Sequence, residues 1–161
     1  MTRINLGIAP EELCDQHLLA EWHELPRMWS YALRAKPGPI PAKFTLGAGH
    51  MRYFLDKGLW LTERLGALRA ELKHRGTRTA VALPVWPRGI CGHADADSAR
   101  PLLITRILAR LGTMKRKPVW TKRDAPDWTR AEAGLTPDQL EAWLDRVGCR
   151  FATKEELLTM R

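Results

Sequence analysis

An all-α fold, a single compact helical domain with long irregular loops, is predicted by three features of this sequence. Leu61, Leu65, Leu68 and Leu72 recur at the spacing of one helical face. Leu103, Ile107, Leu108 and Leu111 repeat that pattern. The stretches between such segments are broken by Pro and Gly, and the short apolar run Ala80 to Val85 lies inside one of them. A chain of 161 residues falls within single-domain size and needs no metal or disulfide to complete its core.

The elements follow in order. Pro10-Glu11-Glu12 opens a helix, with Pro in the first turn and acids against the positive end of the dipole, and the pattern runs to about Ala35. Pro26 interrupts it and predicts a kink beside Glu24, because proline lacks a backbone donor and crowds the preceding turn. Lys36 to Pro41, with three prolines and a glycine, is a rigid connector. A second helical segment is expected from Phe44 to Lys57, weakened by Gly47 and Gly49. The Leu61–Leu72 helix carries Arg64, Arg69, Glu71 and Lys73 off its apolar stripe and stops at Gly76. Residues 77–97 read as a long loop. Ser98 then caps a helix that ends at Gly112 and turns Arg106 and Arg110 outward. Thr136-Pro137-Asp138-Gln139 is a capping box for a short helix to about Val147, and Thr153-x-x-Glu156 can start another. Two regions are expected, a helical domain over 1–122 and a helical extension over 123–161 packed on it.

Composition narrows the partners. Twenty-six Lys and Arg against 18 Asp and Glu give a formal charge of +8, which suits a polyanion, although charge alone fits a generically basic surface equally well. Cys14, Cys91 and Cys149 are odd in number and far apart, so neither a disulfide framework nor a zinc ribbon is indicated. No apolar run approaches a membrane span and the start lacks the apolar core of a signal peptide, so no membrane association and a cytoplasmic location are expected.

Gln16, Ala20, Glu24 and Arg27 share one polar stripe of the first helix, which places a carboxylate between hydrogen-bonding neighbours. Taken alone this fits a solvated helical face. Lys115-Arg116-Lys117-Pro118-Val119-Trp120-Thr121-Lys122-Arg123 interleaves five cations with one Trp, a pattern suited to phosphate neutralisation and stacking or, equally, to an exposed basic loop with Trp120 in the core.

Four blocks change the weighting. Met1-Thr2-Arg3-Ile4-Asn5-Leu6 and Asp15-Gln16-His17-Leu18-Leu19-Ala20-Glu21-Trp22-His23-Glu24-Leu25-Pro26-Arg27, then Phe44 to His50 with Phe54 and Asp56-Lys57, then Lys117 to Lys122, stand in order and in register. Together they closely resemble the phage-type pyrimidine-dimer DNA glycosylases, also called UV endonucleases, over roughly residues 1 to 122. The resemblance implies that Met1 is removed and that the freed α-amine of Thr2 attacks C1′ of the damaged nucleotide. An α-amine, with a pKa of about 7.7 to 8.0, is roughly a tenth to a sixth neutral at pH 7, so it needs little tuning as a nucleophile. Glu24 matches the family's essential carboxylate, implied to stabilise the cationic sugar or imine and to move protons. Arg3, Gln16 and Arg27 match positions that contact DNA or the site, and an arginine fork suits phosphate. His23, Lys117, Trp120 and Lys122 join them as expected DNA contacts, and His50 is expected either near the site or bonded to a buried carbonyl. The fold implied threads an extended N-terminal segment between helices and brings the Thr2 nitrogen close to Glu24.

No metal and no cofactor are expected; the partner is double-stranded DNA carrying a lesion, met by a monomer with no obligate protein partner. Two departures bear on the substrate. His23 stands where an arginine is found in the family, and Thr121-Lys122-Arg123-Asp124 replaces an aromatic cluster used around the lesion. The same chemistry on a different damaged base is therefore one alternative. A catalytically silent DNA-binding module is a second, and a basic scaffold protein without a DNA role a third.

Overall fold

The structure, a computed structural model, describes residues 4–47, 49–79, 92 and 94–130. Among these residues there are helices and loops and no strand, as the leucine periodicities predict. A short 3-10 turn, Pro10–Glu12, precedes α1 (Asp15–Glu24) and α2 (Arg27–Arg34). These are followed by α3 (His50–Tyr53), α4 (Gly58–His74), α5 (Ala96–Gly112) and α6 (Asp127–Arg130).

The single long first helix expected from Pro10 to Ala35 is instead three pieces. Leu13 and Cys14 are extended, with ψ of 137° and 158°, which separates the opening turn from α1. At the far end the Leu25 amide closes the last turn of α1 on the Glu21 carbonyl, and Pro26, which has no N–H, starts the new helix rather than merely kinking the old one. The helix expected over Phe44 to Lys57 shrinks to the four residues of α3. Gly47, at φ +104°, adopts a backbone that a helix does not use.

Helix α4 forms as read. Leu61, Leu65, Leu68 and Leu72 are all buried, and Gly76, at φ +84°, ends the element in the left-handed region. Arg64 and Glu71, expected off the stripe, are buried as well. Helix α5 buries Leu103, Ile107 and Leu108. Its cap is Asp95, whose carboxylate accepts from the Ser98 amide, so Ser98 lies in the first turn and is not the cap. Arg106 does not face outward either: it reaches the N-terminal segment, as described below. The proposed caps at Thr136 and Thr153, the cysteines Cys91 and Cys149, and most of the loop over 77–97 lie outside the described residues.

The core gathers Ile4, Leu6 and Ile8 with Leu18, Trp22, Leu25 and Met28 from α1 and α2, the leucines of α4, and α5. Phe44, Tyr53, Phe54 and Trp60 extend it, with Phe44, Tyr53 and Phe54 in mutual edge-to-face contact and Phe54 stacked on Trp60. The Arg52 guanidinium holds the Pro-rich connector by donating to the carbonyls of Pro39 and Lys36, at 2.7 and 3.1 Å. No helix among the described residues is long and apolar enough to cross a membrane.

Residues 4–8 run between α1, α4 and α5, so the threaded N-terminal segment is present. It is not extended throughout. The Ile8 amide donates to the Asn5 carbonyl to close a turn, and Gly7, third in that turn, has φ +79°. A Cβ on Gly7 would stand 2.2 Å from the Ala96 carbonyl oxygen, so the close approach of this segment to the start of α5 requires glycine.

Candidate active site

Helix α1 organises the site because its two halves hold different parts of the chain. Leu18, Glu21, Trp22 and Leu25 follow the spacing of its buried face, so Glu21 occupies a position that periodicity assigns to an apolar residue. Its side chain is wholly buried, at 0% exposure. A carboxylate there survives only if paired and fully hydrogen-bonded. Arg64 of α4 supplies the pairing, with Nε and Nη2 each 2.9 Å from a Glu21 oxygen. The Asn5 amide N–H donates to Oε1 at 3.2 Å, and Asn5 Nδ2 donates to Oε2 at 2.7 Å. Arg64 Nη1 donates to the Ile8 carbonyl, and Arg106 Nη2 donates to Asn5 Oδ1 at 2.5 Å and to the Ile4 carbonyl at 3.4 Å. Arg100 adds a bond to the Gly7 carbonyl while its guanidinium pairs with Glu12.

Glu24 lies one helical turn beyond Glu21, in the last turn of α1, and is half-buried. Residues three apart on a helix share a side, so Glu24 stands on the same side of α1 as Glu21. His23 and Arg27 flank it and are exposed. Thr2 and Arg3 lie outside the described residues. His50 is buried, with Nδ1 2.5 Å from the Gly47 carbonyl oxygen, the structural one of its two expected roles.

The first turn of α1 holds the basic segment 115–123. Gln16 donates from Nε2 to the Lys117 carbonyl at 2.9 Å and accepts from the Val119 amide at 3.3 Å. Asp15 accepts from the amide and hydroxyl of Thr121 and from Arg75. Burial works against its charge, but the bonds from Thr121 and Arg75 hold its carboxyl below the usual range. Arg75, itself buried, also donates to the carbonyls of Leu13 and Glu11 and pairs with Glu71. Glu71 receives Arg123 as well, and the bond from Arg123, with that from Arg75 against a smaller burial penalty, lowers its pKa to about 2. Glu12 collects Arg100, the Ala9 amide and the Trp128 indole; these outweigh its burial and keep it below the ordinary value.

The expected DNA contacts therefore divide. Lys117 is exposed, as are its neighbours Lys115 and Arg116. Lys122, at φ +58°, donates Nζ to the His74 carbonyl at the end of α4. The Trp120 indole donates to the Glu12 carbonyl at 3.1 Å. Gln16 is engaged with the backbone of this same segment. Among the described residues no group of three or more His, Cys, Asp or Glu side chains comes together as metal ligands would.

Sequence reading missed the Glu21–Arg64 and Glu71–Arg75–Arg123 pairs. The available signal was a charged residue inside each apolar stripe: Glu21 between Leu18 and Leu25, Arg64 beside Leu61 and Leu65.

Residues 1–84, more than half of the chain, match the family model described as pyrimidine dimer DNA glycosylase. The match contains the N-terminal block, all of α1 with Glu21 and Glu24, and α4 with Arg64 and its C-cap Arg75. The chain thus belongs to the pyrimidine dimer DNA glycosylase family.

Proposed function

We propose that this protein excises UV-induced pyrimidine dimers from double-stranded DNA through an imine formed by the α-amine of Thr2, and then nicks the strand as an abasic-site lyase. Once Met1 is removed, the amine attacks C1′ and the glycosidic bond breaks, its electron pair leaving with the base. Loss of the amine proton and opening of the C1′–O4′ bond gives the imine, with O4′ taking up a proton. The imine acidifies C2′; removal of that proton expels the 3′ phosphate, and water then hydrolyses the imine to free the enzyme. Glu24 serves these proton transfers and stabilises the cationic intermediates.

The observation that carries this reading is the anchoring of Asn5 on Glu21, one turn from Glu24. Three residues of chain reach about 10 Å. Glu24 lies about 4.5 Å farther along the helix axis than Glu21. An amine three residues ahead of Asn5 can therefore meet the Glu24 carboxylate. Arg3, His23, Arg27 and Lys117 serve the DNA backbone in this reading, while Gln16, Trp120 and Lys122 act chiefly by holding the basic segment in place. The protein works as a cytoplasmic monomer on lesion-bearing duplex, without a metal or cofactor.

One observation favours a second reading of the substrate. Thr121, Lys122 and Arg123, which replace the aromatic cluster, are committed to Asp15, the His74 carbonyl and Glu71. They are turned to the protein rather than to a lesion, which fits the same chemistry on a different damaged base. Base release and nicking on duplexes carrying a cyclobutane dimer, a fragmented purine or an abasic site, with and without chelator, separate the two. Activity on dimer and abasic site supports the first reading. Activity on fragmented purine and abasic site but not on dimer supports the second, and no nicking of any duplex refutes both.

A further inference from the structure

Asn5 is bonded through every polar group it has. Its amide N–H and Nδ2 go to Glu21, Oδ1 accepts from Arg106, and its carbonyl accepts from the Ile8 amide. Its partners therefore come from α1, from α5 and from its own turn. Burial of the segment does not require this, since Ile4, Leu6 and Ile8 are already in the core. The arrangement suits an amide in particular: a donor end faces a carboxylate and an acceptor end faces a guanidinium, which neither an acid nor an alkyl side chain provides. Fixing both ends of the side chain together with the backbone N–H removes rotation about the segment at this residue.

We propose that Asn5 is the positioning residue for the N-terminal nucleophile, with Glu21 and Arg106 as the two jaws that hold it. The proposal rests on the Thr2 imine reading above. Over the roughly 10 Å from Asn5 to the amine, a rotation of about 10° at Asn5 displaces the nitrogen by about 2 Å. A misplacement on the order of 1 Å is enough to cost about a hundredfold in a reaction that depends on attack geometry. Arg64 carries the opposite duty: it neutralises Glu21 and ties Ile8, so the pocket for Asn5 exists whichever residue fills position 5.

The test uses the full-length, Met-processed protein and its Asn5→Ala, Asn5→Asp and Arg106→Lys variants. Single-turnover borohydride trapping on an abasic-site duplex is measured per folded molecule by circular dichroism, beside affinity for a duplex with a reduced, unreactive abasic sugar. Asn5→Ala is expected to slow trapping on the order of a hundredfold with affinity within about threefold. Arg106→Lys loosens one jaw and is expected to slow it on the order of tenfold, which keeps the proposal testable should Asn5→Ala fold poorly. In Asn5→Asp the side chain keeps an acceptor for Arg106 but loses its donor and sets a carboxylate against Glu21. Its trapping is expected to slow on the order of a hundredfold with affinity within about threefold, a split between rate and binding that a purely structural role does not produce. Wild-type trapping accompanied by equal rates per folded molecule in the Asn5 and Arg106 variants overturns the positioning role alone. A wild-type protein that traps nothing refutes the Thr2 chemistry first and this proposal with it.

Discussion

The two halves of α1 use the same kinds of side chain for opposite ends. At the C-terminal half, Glu21 is wholly buried and its bonds to Arg64 and Asn5 hold the N-terminal segment at one place. At the first turn, Asp15 is about a quarter exposed, at 26%, and with Gln16 it clasps the basic segment 115–123, whose Lys115, Arg116 and Lys117 are exposed. A dry pair leaves an uncompensated charge if either partner goes, so it enforces geometry. The Asp15 clasp loses less when one bond breaks, because water reaches the carboxylate side and Arg75 keeps Glu71 as a second partner. The lesson is that the buried end fixes the path of the N-terminal segment, while the outer end keeps the basic surface against the fold.

The largest effect expected on this contrast is at the dry end. Glu21→Ala leaves the Arg64 guanidinium buried without its carboxylate and should cost about 3–5 kcal/mol in urea unfolding. Asp15→Ala, at the wet end, should cost about 1 kcal/mol; equal losses at the two sites would erase the distinction. Glu24→Gln separates geometry from chemistry within the dry end. It should leave the unfolding midpoint unchanged yet slow base release about a hundredfold or more, and full activity in that variant would contradict the assigned role. Gly7→Ala should destabilise by about 1–3 kcal/mol in the same assay, since φ +79° and the Ala96 carbonyl both resist a Cβ.

Acid probes the outer end. Glu71, with a pKa lowered to about 2, and Asp15, also lowered, contribute stability that is complete above their unfolded values and is lost as pH falls through the folded ones. Arg123→Ala removes the main cause of the Glu71 shift. Its difference in unfolding free energy between pH 7 and pH 3 should accordingly be smaller than that of wild type; an unchanged difference would mean that Arg123 does not hold Glu71. The smallest effect concerns DNA. Lys117→Ala should weaken binding to any duplex and reduce the slope of log affinity against log salt by about 1, and an unchanged slope would take Lys117 out of the interface.

Much of the helical framework was legible because apolar periodicity is a local property. The α4 stripe and its Gly76 stop, and the inward residues of α5, needed only neighbours within two turns. Pro26 announced an interruption, but the second break at Leu13 and Cys14 had no comparable signal, since neither residue opposes helix strongly. Glu24 could be singled out through its place in a block that resembles a family. Glu21 could not be found by assigning charged residues to the outside, because its partner Arg64 is 43 residues away and only the fold makes burial of either tolerable. The same holds for Arg106, expected outside, whose partner Asn5 is 101 residues distant. For Lys122 and Trp120 the resemblance suggested DNA contacts and composition left a core position for Trp120 open; their bonds to the His74 and Glu12 carbonyls again depend on contacts far apart in sequence.

The central claim is that the chain's own N-terminal amine is the nucleophile. Its most direct test is borohydride trapping of the Met-processed protein on a duplex carrying a single cyclobutane dimer, followed by mass mapping of the adduct. The account predicts a covalent sugar on the Thr2 α-nitrogen, absent with undamaged duplex and abolished when that amine is blocked by prior methylation. An adduct on any lysine, or base release that proceeds undiminished with the amine blocked, would contradict it.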